Sequence, residues 1–476
     1  MSDDRLSGSD AVLWAIESDP ILRPTIVVVT MLDAAVDVRT LRRRVESMVL
    51  AVPKLRAVVA ADPLRFGPRR WVDAGTFAVE DHFVHLAAPA PGGERELLEV
   101  VRGLAVTPFR RDAPPWESYL IDGLHDGRSA FVLKMHHVLT DGVGAVQMAA
   151  ALYDLAPDDD LIVAGDPVPP HGSLVGTVVG DALQIGVDAV RLSAGVVAAV
   201  PTTVVRYVCH PVRSVRSTGA TIASIGRLVA PPPPSGSSLI RGRGGASNYR
   251  RLTVDLEALR AAGHRQSASI NDAFVAAVAG ALDRYHERSG ASVPRSFRYT
   301  MPVDLRRAGD GMGGNRFVPT RFDIRAGIRD PRQRVAVVHE RCRTELAEPG
   351  LEYAEGIASV LAALPTRVTT AVMANLLEPV DAVVTNVPGF AVPLRLVGAS
   401  VRSVTAFAPT SGAAVNVALL SYCGQAMIGV VTDDAAVVDA DLFVDCLAEA
   451  FAEVIDAGAG PPPQRPRQDS NLRPTA

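Results

Sequence analysis

The chain has 476 residues, 48% hydrophobic and 21% charged, a composition that excludes wholesale disorder because it can supply an apolar core. The formal net charge of -4 excludes a global basic field that would attract nucleic acid. The four cysteines are far apart, without a CxxC pair or a cysteine–histidine zinc spacing, so we expect neither a disulfide framework nor a structural metal site.

The first part of the chain alternates strand-like and helix-like patterns. A β-branched run predicts a strand over 26–31, and apolar residues at helical spacing predict a helix that Asp37 can cap. A further strand is predicted over 130–138 and an apolar helix over 144–155. We therefore expect an N-terminal α/β domain over residues 1–166.

Residues 167–247 differ in composition and are predicted to be a linker. They combine an apolar segment with the sequences PPPPSGSS and RGRGG, a density of proline and glycine that is typical of linkers. The apolar segment, 175–207, is compatible with an amphipathic helix, either packed on its own domain or lying on a membrane surface. No spanning segment is predicted, because the longest charge-free run, 403–432, is interpreted as two strands around a glycine turn.

The α/β alternation resumes in a C-terminal domain predicted over 248–459, and a disordered tail is predicted over 460–476. A helix is predicted over 269–286, where Ser269 and Asp272 form a capping box. The other predicted elements are helices at 333–346, 356–376 and 440–455 and strands at 297–303, 317–324, 381–385, 394–397, 414–421 and 426–431.

The sharpest motif in the sequence is HHVLTDG, residues 136–142. Side chains alternate along a strand, so His136 and His137 point to opposite faces and cannot share one role. A single imidazole delivered into a cleft at a strand end is suited to act as a general base, because its pKa lies near working pH. Asp141, at a turn closed by Gly142, is placed to organise that turn, either by capping the next helix or by pairing with an arginine.

Other chemistries find less support in the sequence. It contains no GxSxG motif, and no cysteine lies in a recognisable nucleophile setting. Adjacent histidines diverge along a strand, and no third ligand is evident, so we predict no metal site.

The motif HHVLTDG resembles the HHxxxDG motif of CoA-dependent acyltransferases and of peptide-synthetase condensation domains. Other segments resemble one branch, the bacterial wax ester synthase/diacylglycerol acyltransferase family, and follow its order over about residues 5–455. These segments are LSGSDAVLWAIE at 6–17, PPWE at 114–117, ND at 271–272, MPVDLR at 301–306, GNR at 314–316, TNVPG at 385–389 and NVALLSY at 416–422.

The resemblance implies an α/β fold of two chloramphenicol-acetyltransferase-like domains with mixed sheets and an active-site tunnel between them. It implies that His137 is the general base and Asp141 a structural residue, while His136 supports the site or only packs. Candidate substrate-binding residues are Trp116, Asn271, Asp272, Asn386 and Gly389. Each has a structural alternative: a buried anchor for the tryptophan, helix capping for the ND pair, and a tight turn for the last two.

The function implied by the resemblance is transfer of a fatty acyl group from acyl-CoA to diacylglycerol or a long-chain alcohol. Acyl-CoA would be a co-substrate, and no cofactor is expected. The protein would be cytoplasmic and peripherally associated with the inner face of the plasma membrane or with lipid bodies. Two alternatives stay open: transfer to another acceptor, such as a polyketide or glycolipid, and a non-catalytic lipid-binding protein. Phe390 stands where the family has proline, which leaves acceptor choice and chain length open.

Overall fold

The computed structural model describes residues 5–60, 69–139, 148, 151–154, 233, 236–304, 317–347 and 354–459. Its helices are α1 Gly8–Ile16, α2 Val38–Ala51, α3 Glu94–Val106, α4 Leu256–Arg265, α5 Ile270–Arg288, α6 Pro331–Leu346, α7 Ala354–Ala362, α8 Thr366–Leu377 and α9 Ala440–Ala459. Its strands are β1 Thr25–Leu32, β2 Ala57–Ala60, β3 Arg70–Asp73, β4 Phe83–Ala87, β5 Trp116–Asp122, β6 Ser129–His136, β7 Ser247–Asp255, β8 Ser296–Asp304, β9 Phe317–Arg325, β10 Ala382–Phe390, β11 Arg395–Leu396, β12 Ala399–Phe407, β13 Val415–Tyr422 and β14 Gln425–Asp433.

Two six-stranded sheets organise the described chain. The first has the order β11-β12-β1-β6-β5-β4 and the second β7-β14-β13-β10-β8-β9. Parallel pairs, β4 with β5 and β10 with β8 and β13, occur beside antiparallel ones. The predicted α/β class with mixed sheets is therefore confirmed.

The two halves of the sequence share the first sheet. Strand β12, from the C-terminal half, pairs antiparallel with β1, and Val27 lies opposite Phe407. Strand β12 was not predicted; besides its short local pairing with β11, its long pairing is with β1, which lies more than 300 residues away in the sequence. Since β1 also pairs with β6, the C-terminal half is attached directly to the strand that carries the motif.

Local sequence signals explain the helices that the pattern predicted. In α2 the Asp37 carboxylate accepts from the Thr40 N–H, and the buried stripe is Leu41, Val45, Met48 and Val49. In α5 the predicted capping box between Ser269 and Asp272 is present.

One prediction needs correction. The single helix predicted over 356–376 is two helices, α7 and α8, because Pro365 stands between them and cannot continue a helical hydrogen-bond ladder. Near the end of the segment 167–247, which stays a predicted linker, the Arg243 guanidinium donates to the carbonyl oxygens of Gly412, Glu378 and Val380. The apolar segment 175–207 and the tail 460–476 lie outside the described residues.

Candidate active site

A cavity of about 250 Å³ lies between the two sheets. One wall comes from β1, β6 and β12, and the opposite wall from β8, β10 and β13. Helices α1 and α8 contribute Leu13, Ile16, Met373 and Leu377. The lining is mainly apolar, which suits a ligand with a long hydrocarbon chain.

His137, the residue directly after β6, lines this cavity together with alternate residues of that strand. These residues are Phe131, Leu133, Met135 and His137, so the alternation predicted from the sequence is confirmed. Phe131 and His137 are six positions apart, which corresponds to about 20 Å of extended chain at about 3.3 Å per residue. The cavity therefore extends along the strand and has an imidazole at one end of this wall; we call it the tunnel below.

Backbone hydrogen bonds hold the turn that carries His137. Its own N–H donates to the Pro24 carbonyl at 3.0 Å, and the His136 N–H donates to the Pro115 carbonyl at 2.9 Å. Lys54 Nζ lies 3.3 Å from the Leu139 carbonyl oxygen and 3.4 Å from that of Val138. Three separate parts of the chain thus fix the strand end.

His136 occupies the other face of β6 and is completely buried. Its Nδ1 accepts a hydrogen bond from the Val138 N–H at 2.9 Å. The ring packs against Trp14 and Phe109, at centroid distances of 5.1 and 6.1 Å. Burial lowers the pKa of His136, although the Glu17 carboxylate acts in the opposite direction. The imidazole is therefore neutral and does not face the tunnel.

Aromatic side chains line the tunnel beside Thr30, at the level of Phe131 and remote from His137. The Tyr153 hydroxyl hydrogen-bonds to Thr30 Oγ1, and Thr30 lies opposite Phe131 in the β1–β6 pairing. The Phe390 ring meets the Tyr153 ring edge to face, at a centroid distance of 5.8 Å. Nothing in the sequence pattern singled out Tyr153.

Two of the candidate residues lie on β10 rather than in a tight turn. Asn386 lines the tunnel, while the Gly389 N–H donates to Ser421 Oγ at 2.9 Å. A Cβ built on Gly389 would lie 2.0 Å from the Ser421 carbonyl oxygen. The turn interpretation was wrong because TNVPGF forms a strand with a bulge, where the register against β13 shifts between Val387 and Phe390.

The other described candidates lie away from the tunnel lining. Trp116 is fully buried, and its indole N–H donates to the Leu55 carbonyl at 2.8 Å, as expected for an anchor. Asn271 Nδ2 contacts Met301 Sδ at 3.3 Å, and Asp272 caps its helix. Asp141 and Gly142 lie outside the described residues.

Comparison with known sequences identifies the family. The wax ester synthase/diacylglycerol acyltransferase catalytic domain matches residues 6–274, and the C-terminal domain of the same family matches residues 313–454. The chain belongs to this family. Two Mycobacterium tuberculosis H37Rv proteins, both provisionally named as diacylglycerol O-acyltransferases, are similar. The first is 30% identical over 471 residues, which cover 97% of this chain and 94% of the relative. The second is 28% identical over 438 residues, which cover 89% of this chain and 84% of the relative.

Solved structures show the same fold. The wax ester synthase/diacylglycerol acyltransferase of Marinobacter aquaeolei VT8 matches with a TM-score of 0.63 at 20% identity, covering 95% of this chain and all of that one. The first condensation domain of the calcium-dependent antibiotic synthetase matches with a TM-score of 0.60 at 18% identity and covers 96% of each chain. The predicted family, fold and acyltransferase activity are therefore confirmed.

Proposed function

We propose that this acyltransferase moves a long-chain fatty acyl group from acyl-CoA to the hydroxyl of diacylglycerol or of a long-chain alcohol, with His137 as general base. The observation that carries the proposal is the imidazole of His137 in the wall of an apolar cavity whose lining residues follow about 20 Å of extended chain. A bilayer core about 30 Å thick holds two layers of acyl chains, so one chain needs about 15 Å. The tunnel wall is long enough to cover such a chain.

Acyl transfer from a thioester to a hydroxyl requires one proton acceptor beside the reacting carbonyl. His137 would take the proton of the acceptor hydroxyl while its oxygen attacks the thioester carbonyl carbon. The resulting tetrahedral intermediate collapses by breaking the carbon–sulfur bond, and the imidazolium returns the proton to the CoA thiolate. The products are an ester and free CoA, and the imidazole is neutral again.

Of the other candidate residues, Asn386 has the strongest claim to a substrate contact. It lines the tunnel from the wall opposite His137, where its amide can hydrogen-bond to polar atoms of a bound thioester or acceptor. We assign structural roles to Trp116, Asn271 and Asp272, which have protein partners away from the lining. Gly389 lets β10 approach β13 closely, and Asp141 keeps the structural role that the family resemblance implies.

We further propose that the enzyme meets its water-insoluble substrates at a lipid surface, on the inner face of the plasma membrane or on lipid bodies. Within the described residues, no helix is long and apolar enough to cross a membrane. The hairpin of α7, α8 and their connection exposes Val360, Leu364 and Val368, each by more than a third. Helix α8 also contributes Met373 and Leu377 to the tunnel lining, so the same hairpin has exposed apolar residues and residues of the cavity wall.

The test is an acyl-transfer assay with the purified full chain. Labelled palmitoyl-CoA is incubated with diolein, with hexadecanol or with a long-chain amine, and the lipids are separated. We expect label in triacylglycerol or wax ester. Label only in the amide would favour a condensation-type acceptor, and binding of palmitoyl-CoA without any transfer would indicate a non-catalytic lipid-binding protein.

A further inference from the structure

The neutral His136 has one ring nitrogen whose partner is not yet accounted for. His136 Nε2 lies 3.4 Å from Glu17 Oε2, and both side chains are at most 2% exposed. Neither atom has a hydrogen-bond partner elsewhere in the described part of the chain. Buried polar atoms are almost always paired, so two unpaired ones at this distance are each other's natural partners.

The tautomer of His136 makes the two atoms complementary. The Val138 N–H donates to Nδ1 at 2.9 Å, so Nδ1 carries no proton. Burial lowers the pKa of His136 and keeps the ring neutral, and its one proton is therefore on Nε2. An N–H donor thus faces a carboxylate oxygen.

The second oxygen of Glu17 is already occupied. Glu17 Oε1 lies 3.5 Å from the Phe109 backbone nitrogen and 3.7 Å from Arg23 Nε. Arg23 also donates to the Glu17 backbone carbonyl at 3.3 Å. These contacts fix the carboxylate and leave Oε2 to face His136.

We propose that Glu17 is a positioning residue, which accepts from His136 Nε2–H and holds the tautomer whose Nδ1 anchors the turn that presents His137. The inference rests on the proposed role of His137. The same segment of chain reaches His137 directly, because the Pro24 carbonyl accepts from the His137 N–H. Residues 17–24 therefore hold both histidines, one through its side chain and the other through its backbone.

The test compares Glu17→Leu with Glu17→Gln, whose amide oxygen still accepts a hydrogen bond. The control is Glu117→Gln, which alters another largely buried carboxylate on the same face of the sheet, one that is bonded to Lys134 and Tyr119. The readouts are kcat and KM for palmitoyl-CoA and the ¹⁵N chemical shifts of His136, assigned with His136→Asn.

In the parent protein we expect the ¹⁵N shifts to report a proton on Nε2 of His136. Glu17→Leu should lower kcat by about 10- to 100-fold, as expected for a misplaced catalytic group, without raising KM. Glu17→Leu should also change the ¹⁵N shifts of His136. Glu17→Gln should retain most of the parent kcat and ¹⁵N shifts, and Glu117→Gln should change neither kcat nor those shifts.

Two results would overturn the inference: a proton on Nδ1 in the parent, or a Glu17→Leu variant with the kcat of the parent. A parent protein that forms no acylated product would overturn the proposed function instead. The ¹⁵N measurement needs no substrate, so it would still decide the Glu17–His136 pair in that protein.

Discussion

The rings of Phe390 and Tyr153, which both line the tunnel, meet edge to face with centroids 5.8 Å apart, and Tyr153 is hydrogen-bonded to Thr30 of β1. Tyr153 is buried, and burial raises the pKa of its hydroxyl to about 12, so it is neutral and hydrogen-bonded at neutral pH. The pair stands in the apolar part of the tunnel, remote from His137. It is placed to limit how far an acyl chain extends.

The first prediction concerns chain length. Phe390→Ala removes one ring of the pair and opens space beyond it, so the preferred acyl-CoA should become longer. Ratios of kcat/KM over a series of saturated acyl-CoA chains measure the shift. One added methylene in an apolar pocket typically changes kcat/KM by about 10-fold or more. Phe390→Leu should shift the preference less. An unchanged preference in the alanine variant would remove Phe390 from chain-length selection.

The second prediction concerns the close approach of β10 and β13. Gly389→Ala places a Cβ about 2.0 Å from the Ser421 carbonyl oxygen, so the strands must separate. We expect a loss of about 1–3 kcal/mol in the free energy of unfolding, together with lower activity.

The matched control is Gly103→Ala, which meets open space inside helix α3. It should stabilise the protein by about 0.5–1 kcal/mol, because alanine loses less entropy in a helix than glycine. Equal thermal midpoints for the two variants would show that the approach at Gly389 is not tight.

The third prediction concerns the α7–α8 hairpin. Replacing Val360, Leu364 and Val368 with serine should weaken binding to vesicles by more than about tenfold, because fully burying one such side chain is worth about 1.5–3 kcal/mol. Transfer to dispersed diacylglycerol should fall with it, while transfer to a short soluble alcohol continues.

The control for the hairpin changes three other exposed apolar residues, Leu50, Val84 and Val438, to serine. If both triple variants float with vesicles equally well, the hairpin is not the contact. The alternative contact from the sequence, the apolar segment 175–207, would then be the next to test.

The fourth prediction concerns pH. Burial lowers the pKa of His136, whereas an unfolded histidine titrates near 6.5. Below about pH 6.5 the unfolded chain binds a proton at His136 that the folded chain does not bind. The free energy of unfolding therefore decreases as the pH falls from about 6.5 toward the lowered pKa of the folded state. Above about pH 6.5 it contributes no pH dependence.

His136→Asn keeps an acceptor for the Val138 N–H but cannot titrate. Urea unfolding gives the free energy of unfolding at each pH. Its slope against pH below about pH 6.5 should be smaller in the variant than in the parent, by up to about 1.4 kcal/mol per pH unit. Identical slopes in parent and variant would mean that His136 is protonated in the folded protein as readily as in the unfolded one.

Local patterns predicted much of the fold. The capping residues Asp37 and Ser269, the apolar stripe of α2 and the alternation along β6 are all encoded within a few residues, and the structure has each of them. Resemblance of short motifs supplied the family and the expectation of a tunnel.

What the sequence did not reveal depends on distant pairing. Strand β12 pairs with β1, which lies in the other half of the chain. Tyr153 is recognised as a lining residue only because the fold places its ring against that of Phe390. Glu17 stands inside a segment that resembles the family, but its role appears only when the buried Nε2 of His136 is seen beside it. Gly389 was interpreted as a possible turn residue because the local sequence does not show that Ser421 approaches it closely.

The central claim is tested most directly by His137→Ala in the acyl-transfer assay, with palmitoyl-CoA binding followed by calorimetry. Loss of a general base should lower kcat by about 10²–10⁴-fold and leave palmitoyl-CoA affinity and the melting temperature unchanged. His85→Ala, which alters a partly exposed histidine on β4 of the same sheet, should retain the parent kcat. A folded His137→Ala variant that binds palmitoyl-CoA and turns over at the parent rate would contradict the account.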